Sequence, residues 1–159
     1  VFAPDLKNEG VTMYKNILVP TDGSPLSRAA AARAVKLAKS VGAKITAFFA
    51  APAPTPMLYK GLLPVGFITT TEHAKLAERA AAQHLQYVEK LAQSAGVKVK
   101  SVHLTDDFPA SAILAVAKKE KCDLIYIASH GSTGFKNSML GSQTQKVLAQ
   151  SPIAVLVHR

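Results

Sequence analysis

The chain has 159 residues, 48% of them hydrophobic, enough for one domain with a sizeable core. No apolar run approaches the roughly 20 residues of a membrane helix, and no apolar stretch of signal-peptide length opens the chain, so a soluble cytoplasmic protein is expected. Nineteen basic against ten acidic residues give a formal charge of +9, which favours anionic partners, but the basic residues are dispersed and Trp is absent, so specific nucleic-acid binding is not expected.

Met13 precedes "YKNILVP" as a natural start would, and residues 1–12 are expected to be an extension outside the fold, disordered or added at cloning, with 13–159 a single domain. "KNILVPTDGS" reads as a short buried strand at 16–20 running into a turn. Ser24 and Pro25 then give an N-cap and a proline at the first helical position, where its missing N–H costs nothing. The helix runs to about Ser40, with Leu26, Ala30, Ala34, Leu37 and Val41 on one face and Gly42 as its stop. A second strand at 44–50 leads into a long segment, 51–71, whose prolines and glycines exclude a regular element over most of its length. Emerging beside the ligand end of the sheet, that segment is a candidate lid or protein contact.

Residues 72–95 carry Ala and Leu at helical spacing and are followed by Gly96. "VKVKSVHL" alternates as a strand with one covered face, which suits a sheet edge or a less covered position. "DFPASAILAVAKKEK" gives a third helix, with Asp106 or Asp107 near its start and lysines in its last turn, as the helix dipole prefers. "CDLIYIA" is an apolar strand in which Cys122 is expected to be a buried, inert thiol. A short helix, "SQTQKVLAQ", and a last strand, "IAVLVH" at 153–158, complete a βαβαβαβαβ order. Such alternation predicts an α/β fold: an open, five-stranded, mostly parallel, Rossmann-like sheet with helices on both faces.

Ligands of such sheets sit beyond the carboxyl ends of the strands, where strand order reverses. Two loops qualify, "PTDGS" after the first strand and "SHGSTGFKNSMLGS" after the fourth. Glycines bring backbone N–H groups close to a ligand, and "GSQT" opens a helix whose free N–H groups and dipole attract phosphate, with the hydroxyls of Ser142 and Thr144 as further donors. Acidic residues are absent after Asp123, so this segment is locally cationic. Spacing alone suits a phosphate cradle and an unliganded surface loop equally: neither the P-loop nor the dinucleotide glycine motif is present. Asp22 has three readings, as a contact to ribose or a phosphate-bound metal, as a phospho-acceptor, or as the cap of its own turn.

The chain resembles the universal stress protein family from about Tyr14 to Arg159: "KNILVPTDGS" at the start, "ASHG" nine residues before "GSQTQKVL", and "SPIAVLVHR" at the end. The family's nucleotide-binding members carry Gly, two residues, Gly, nine residues, then Gly and Ser or Thr. Gly131, Gly141 and Ser142 obey that pattern, Ala128 stands at its first glycine, and Ser132 stands where members often have a basic side chain. The resemblance implies an adenine nucleotide α-hydrolase-like fold and ATP as ligand, with magnesium reached through the phosphates. It places Asp22 at the ribose, the Pro20 and Thr21 backbone and Ala50 beside the base, Ala128 close to the ligand, and Gly131, Gly141, Ser142, Gln143 and Thr144 at the phosphates. It also implies a homodimer paired through 153–158, which would cover an apolar sheet edge.

No catalytic residue is expected. Phosphoryl transfer needs a positioned metal and a group that orients the nucleophile. Asp22 and scattered lysines do not supply that set, and His130 reads as a loop imidazole fixing its turn. The remaining histidines, 73, 84, 103 and 158, are too dispersed to form a structural metal site. The expected function is an ATP-binding regulatory or protective module in stress response, with at most weak ATPase activity. The alternatives are a slow ATP hydrolase or phosphotransfer enzyme and a nucleotide-free interaction dimer.

Overall fold

Alternating apolar and helical segments fold here into one sheet with two helical layers. The computed structural model describes residues 13–52, 70–131 and 140–159. The expectations for residues 1–12, for most of 51–71 and for Ser132 lie outside the described residues. The strands are Asn16–Pro20 (β1), Lys44–Ala51 (β2), Val99–Thr105 (β3), Leu124–Ala128 (β4) and Ala154–His158 (β5). The helices are Pro25–Val41 (α1), Thr70–Ala95 (α2), Pro109–Lys119 (α3) and Ser142–Gln150 (α4). All strand pairs are parallel, in the order β3-β2-β1-β4-β5.

Period-two alternation divides the core between the two faces of the sheet. Ile17, Val19, Ile45, Ala47, Leu124 and Tyr126 pack with the α1 and α2 alanines, while Leu18, Phe48, Ile125 and Ile127 pack with Ile113, Val116 and Val147 of α3 and α4. The buried stripe of α1 includes Ala30, Ala31, Ala34, Val35 and Ala38. Leu26, Leu37 and Val41 flank it only partly buried, so the expected face is displaced by about one residue. Small side chains on the central line let the helix lie close to the sheet.

Local chemistry explains the boundaries. Ser24 caps α1 by accepting from the Ser27 N–H at 3.2 Å, Pro25 follows, and Gly42 ends the helix at φ 70. Asp106 and Asp107 stand just before α3, as expected near its start. Phe108 occupies the cap position without a side-chain hydrogen bond, and Asp106 acts one turn earlier, its Oδ1 accepting from the Phe108 N–H at 2.7 Å. Proline at the first position of α3 shifts the helix start past both aspartates.

β1 is locked at its N-terminal end. The Asp123 carboxylate accepts from the Lys15 and Asn16 N–H groups at 2.8 and 3.0 Å, and buried Asn16 donates to Glu120 O and accepts from Thr46 Oγ1, both at 2.9 Å. At the other end the sheet parts. β1–β2 pairing runs to Pro20 opposite Phe48, and β4–β5 pairing runs to Ala128 opposite His158, but β1–β4 pairing stops after Leu18 opposite Ile125. A crevice therefore opens between the C-terminal ends of β1 and β4, where strand order reverses.

Candidate functional site

Two loops flank the crevice. On the β1 side, the Thr21 N–H donates to Phe48 O at 2.9 Å, carrying the β2 pairing into the turn. The Thr21 hydroxyl is buried against Ser27 Oγ at 3.2 Å and accepts from the Gly23 N–H at 3.2 Å, while Asp22 Oδ1 accepts from the Ser24 N–H at 3.0 Å. Gly23 closes the turn at φ 77, a left-handed conformation that other residues strongly disfavour. This hydrogen-bonded turn holds Asp22 with its second carboxylate oxygen facing the opposite loop. A Cβ added to Gly131 would lie 2.7 Å from Asp22 Oδ2.

On the β4 side, both ends of the long loop are tied together at its base. The Ser129 N–H donates to His158 O at 2.7 Å, and the Gly141 N–H donates to Ser129 O at 2.8 Å. A Cβ on Gly141 would stand 3.1 Å from Ser129 O and 3.4 Å from His130 Cα, so the glycine permits this close backbone approach. His130 Nδ1 lies 3.1 Å from Ser129 Oγ.

The α4 N-terminus is aimed at the crevice by two side chains whose positions differ from the simplest reading of their chemistry. Buried Thr144 donates its hydroxyl proton to Ala128 O at 2.9 Å, so that proton is committed to the strand end and not available to an anion. Gln143 Oε1 accepts from the Ala110 N–H at 3.1 Å, tying α4 to the start of α3. The first intrahelical carbonyl, Gly141 O, is taken by the Gln145 N–H at 3.0 Å. The backbone N–H groups of Ser142, Gln143 and Thr144 precede it and have no i−4 carbonyl, which is the arrangement that attracts an anion.

Ala128 occupies an ordinary strand conformation. Among the described residues Lys121 is the non-glycine with positive φ, and the Ala128 side chain is buried in the core cluster under α1. The methyl group thus needs no conformation reserved for glycine. Ala50 and Pro20 are half-buried at the ends of their strands on either side of the β1–β2 pair. The structure therefore brings the sequence-predicted residues Pro20, Thr21, Asp22, Ala50, Ala128, Gly131, Gly141, Ser142, Gln143 and Thr144 to one end of the sheet, with direct loop-to-loop proximity at Asp22 and Gly131.

The donor set fits a phosphate-bearing ligand with a polar sugar. A side chain at Gly131 would run into the Asp22 carboxylate, the helix N–H groups can serve an anion, and the carboxylate can serve hydroxyls. Sequence reading gave no role to Ser27, which braces Thr21, or to His84 on α2, whose ring lies against Gly23. Neither carries a local motif; each reaches the turn through tertiary packing.

The sequence pattern of the Universal stress protein family matches residues 13–159. The chain belongs to the universal stress protein family. It is 32% identical over 148 residues to a universal stress protein of Methanocaldococcus jannaschii, covering 93% of this chain and 84% of that one. A universal stress protein from Archaeoglobus fulgidus solved in complex with dAMP superposes with a TM-score of 0.64 at 15% identity, covering 92% of this chain and 98% of that one. Another, solved in complex with cAMP, gives a TM-score of 0.63 at 22% identity, with 91% and 95% covered. At these identities the two structures establish the shared universal stress protein fold. Among the described residues, no helix is long and apolar enough to cross a membrane, and no group of three or more His, Cys, Asp or Glu could hold a metal ion.

Proposed function

We propose that this universal stress protein binds ATP in the crevice between β1 and β4 and acts as a nucleotide-dependent regulatory module. The observation that carries the reading is the convergence of Asp22 with Gly131 at the end of the sheet where Thr144 anchors the start of α4 to Ala128 O. The phosphates lie at the backbone N–H groups of Ser142, Gln143 and Thr144, the ribose hydroxyls at Asp22, and the base between the ends of β1 and β2 near Pro20, Thr21 and Ala50. Fold relatives solved with dAMP and cAMP support an adenine nucleotide as the ligand class. Magnesium enters on the phosphates, since Asp22 is one carboxylate and does not make an ion cage by itself.

The protein also pairs with a second copy through β5. This strand forms one edge of the sheet, with Ala154 and Leu156 exposed, and an unpaired apolar edge is a template for another strand. A single-chain particle in sedimentation equilibrium would refute that pairing.

The test of nucleotide binding is mass spectrometry of small molecules released by denaturing the purified protein, followed by calorimetric titration of the emptied protein with Mg-ATP. ATP or ADP near one per chain is expected, with binding abolished in Gly131→Val and Gly141→Val. A wild-type protein that is empty and takes up no added Mg-ATP would refute the reading.

A further inference from the structure

The nucleotide reading leaves one buried polar atom unaccounted for. His84 lies on α2 beside the stripe Ala81, Leu85, Val88 and Ala92 that buries this helix on the sheet. Its ring packs against Phe49 of β2, with centroids 5.0 Å apart and planes tilted by 46°. Its other neighbour is the β1 turn: a Cβ on Gly23 would collide with His84 Nδ1 and Cε1. Nδ1 is buried and has no hydrogen-bond partner among the described residues. Three residues along α2, Tyr87 receives the Arg28 guanidinium of α1 over its ring at 5.2 Å, so α2 also braces the helix that follows the turn.

We propose that His84 is a positioning residue of the nucleotide site: its ring is a wedge behind Gly23 that sets the turn and so holds Asp22 against Gly131. The inference rests on the nucleotide reading for its consequence, but the wedge itself is a statement about the turn. A chain of close approaches runs from His84 to the Gly23 backbone, through the neighbouring Asp22 carboxylate, to Gly131. Two glycines make it possible, each leaving the space that the next side chain occupies. The bulk of residue 84 does the positioning. The orphaned nitrogen makes no hydrogen bond to the turn and destabilises the fold, because a buried polar group without a partner forfeits its hydration. Through this contact any displacement of α2, which packs on the face of the sheet away from α4, is transmitted to Asp22.

The experiment compares His84→Ala, His84→Leu, Gly23→Ala and the double variant His84→Ala/Gly23→Ala by three measurements: amide exchange at Gly23 and Ser24, Mg-ATP affinity by calorimetry, and Tm. His84→Ala removes the wedge and is expected to speed exchange at both amides and weaken Mg-ATP binding, each by about tenfold. His84→Leu restores the bulk without the nitrogen, and is expected to recover affinity and slow exchange while raising Tm above wild type. Gly23→Ala weakens binding through collision and strain at positive φ; the double variant binds more tightly than the product of the two single losses predicts, because the imidazole is no longer in the way. Equal affinity losses in His84→Leu and His84→Ala would overturn the wedge and make the nitrogen a ligand contact. Unchanged exchange at Gly23 and Ser24 in His84→Ala would also overturn it. A wild-type protein that binds no Mg-ATP, while His84→Ala still loosens the turn, would refute the nucleotide reading and sustain the wedge.

Discussion

Replacing Gly131 by alanine separates stability from binding at the crevice. The new Cβ would stand 2.7 Å from Asp22 Oδ2, whereas an ordinary contact begins at 3.4 Å, so one of the two must move by about 0.7 Å. The obstructing atom is the far end of a side chain, and Gly131 does not have the left-handed φ that would strain alanine. The fold therefore accommodates the change by swinging the carboxylate. Loss of glycine's freedom in the unfolded chain contributes about 0.4–1 kcal/mol in the opposite direction, so stability is expected to hold or rise slightly. Binding moves the other way. If Asp22 holds the ribose as proposed, its displacement costs that hydrogen bond, and a hydrogen bond to a charged group contributes about 1.5–3 kcal/mol, or roughly ten- to a hundredfold in affinity. The assay is paired urea denaturation and calorimetric titration with Mg-ATP. Unchanged affinity at unchanged stability would refute the placement of Asp22 at the ligand; a stability loss above about 1 kcal/mol would refute accommodation by the side chain alone.

Thr144→Val keeps the shape of the side chain but strands the buried Ala128 carbonyl, and a loss of about 1–3 kcal/mol is expected from the urea midpoint. Asn16→Ala removes the partner of both Thr46 Oγ1 and Glu120 O and is expected to cost about 2–4 kcal/mol; a loss below 1 kcal/mol would show that water replaces the side chain. Burial pushes the Cys122 thiol above its ordinary range, so iodoacetamide should label it slowly in the folded protein and rapidly in urea. The unfolded chain releases this proton first, so the contribution to stability is complete below roughly pH 8.5 and is lost as pH rises from there through the folded value. Cys122→Val should flatten that part of the stability profile, unless Tyr126, also pushed up by burial, dominates it; repeating the pH series on Tyr126→Phe measures that share.

Element type and order were legible because their signals are local. The Ser24–Pro25 start and Gly42 stop of α1 are set by neighbouring backbone geometry, and the "SQTQKVLAQ" helix appears with the same limits, Ser142–Gln150. The alternation in "VKVKSVHL" identified a partly covered strand, and β3 is indeed an edge. Asp106 and Asp107 do stand just before α3, as expected, but which residue takes the N-cap was not legible; it is Phe108, because proline at the first helical position sets where the helix begins. The glycines and Asp22 of the candidate site could be read from spacing and from the family resemblance. The commitments of Thr144 and Gln143 could not, since Ala128 O and Ala110 N–H lie 16 and 33 residues away in the chain.

The sequence by itself determined that the chain alternates strand and helix, that each buried strand alternates its faces, and that glycine-rich turns follow β1 and β4, because periodicity, capping and φ preference act over a few residues. Only the tertiary structure decided that β1 and β4 part after two paired residues, that Gly131 yields its side-chain space to Asp22, and that His84 stands behind Gly23. Those are contacts between segments up to 109 residues apart, from Asp22 to Gly131, and they depend on how two helical layers close on the sheet. Such distances of approach are fixed by packing, which no local pattern encodes.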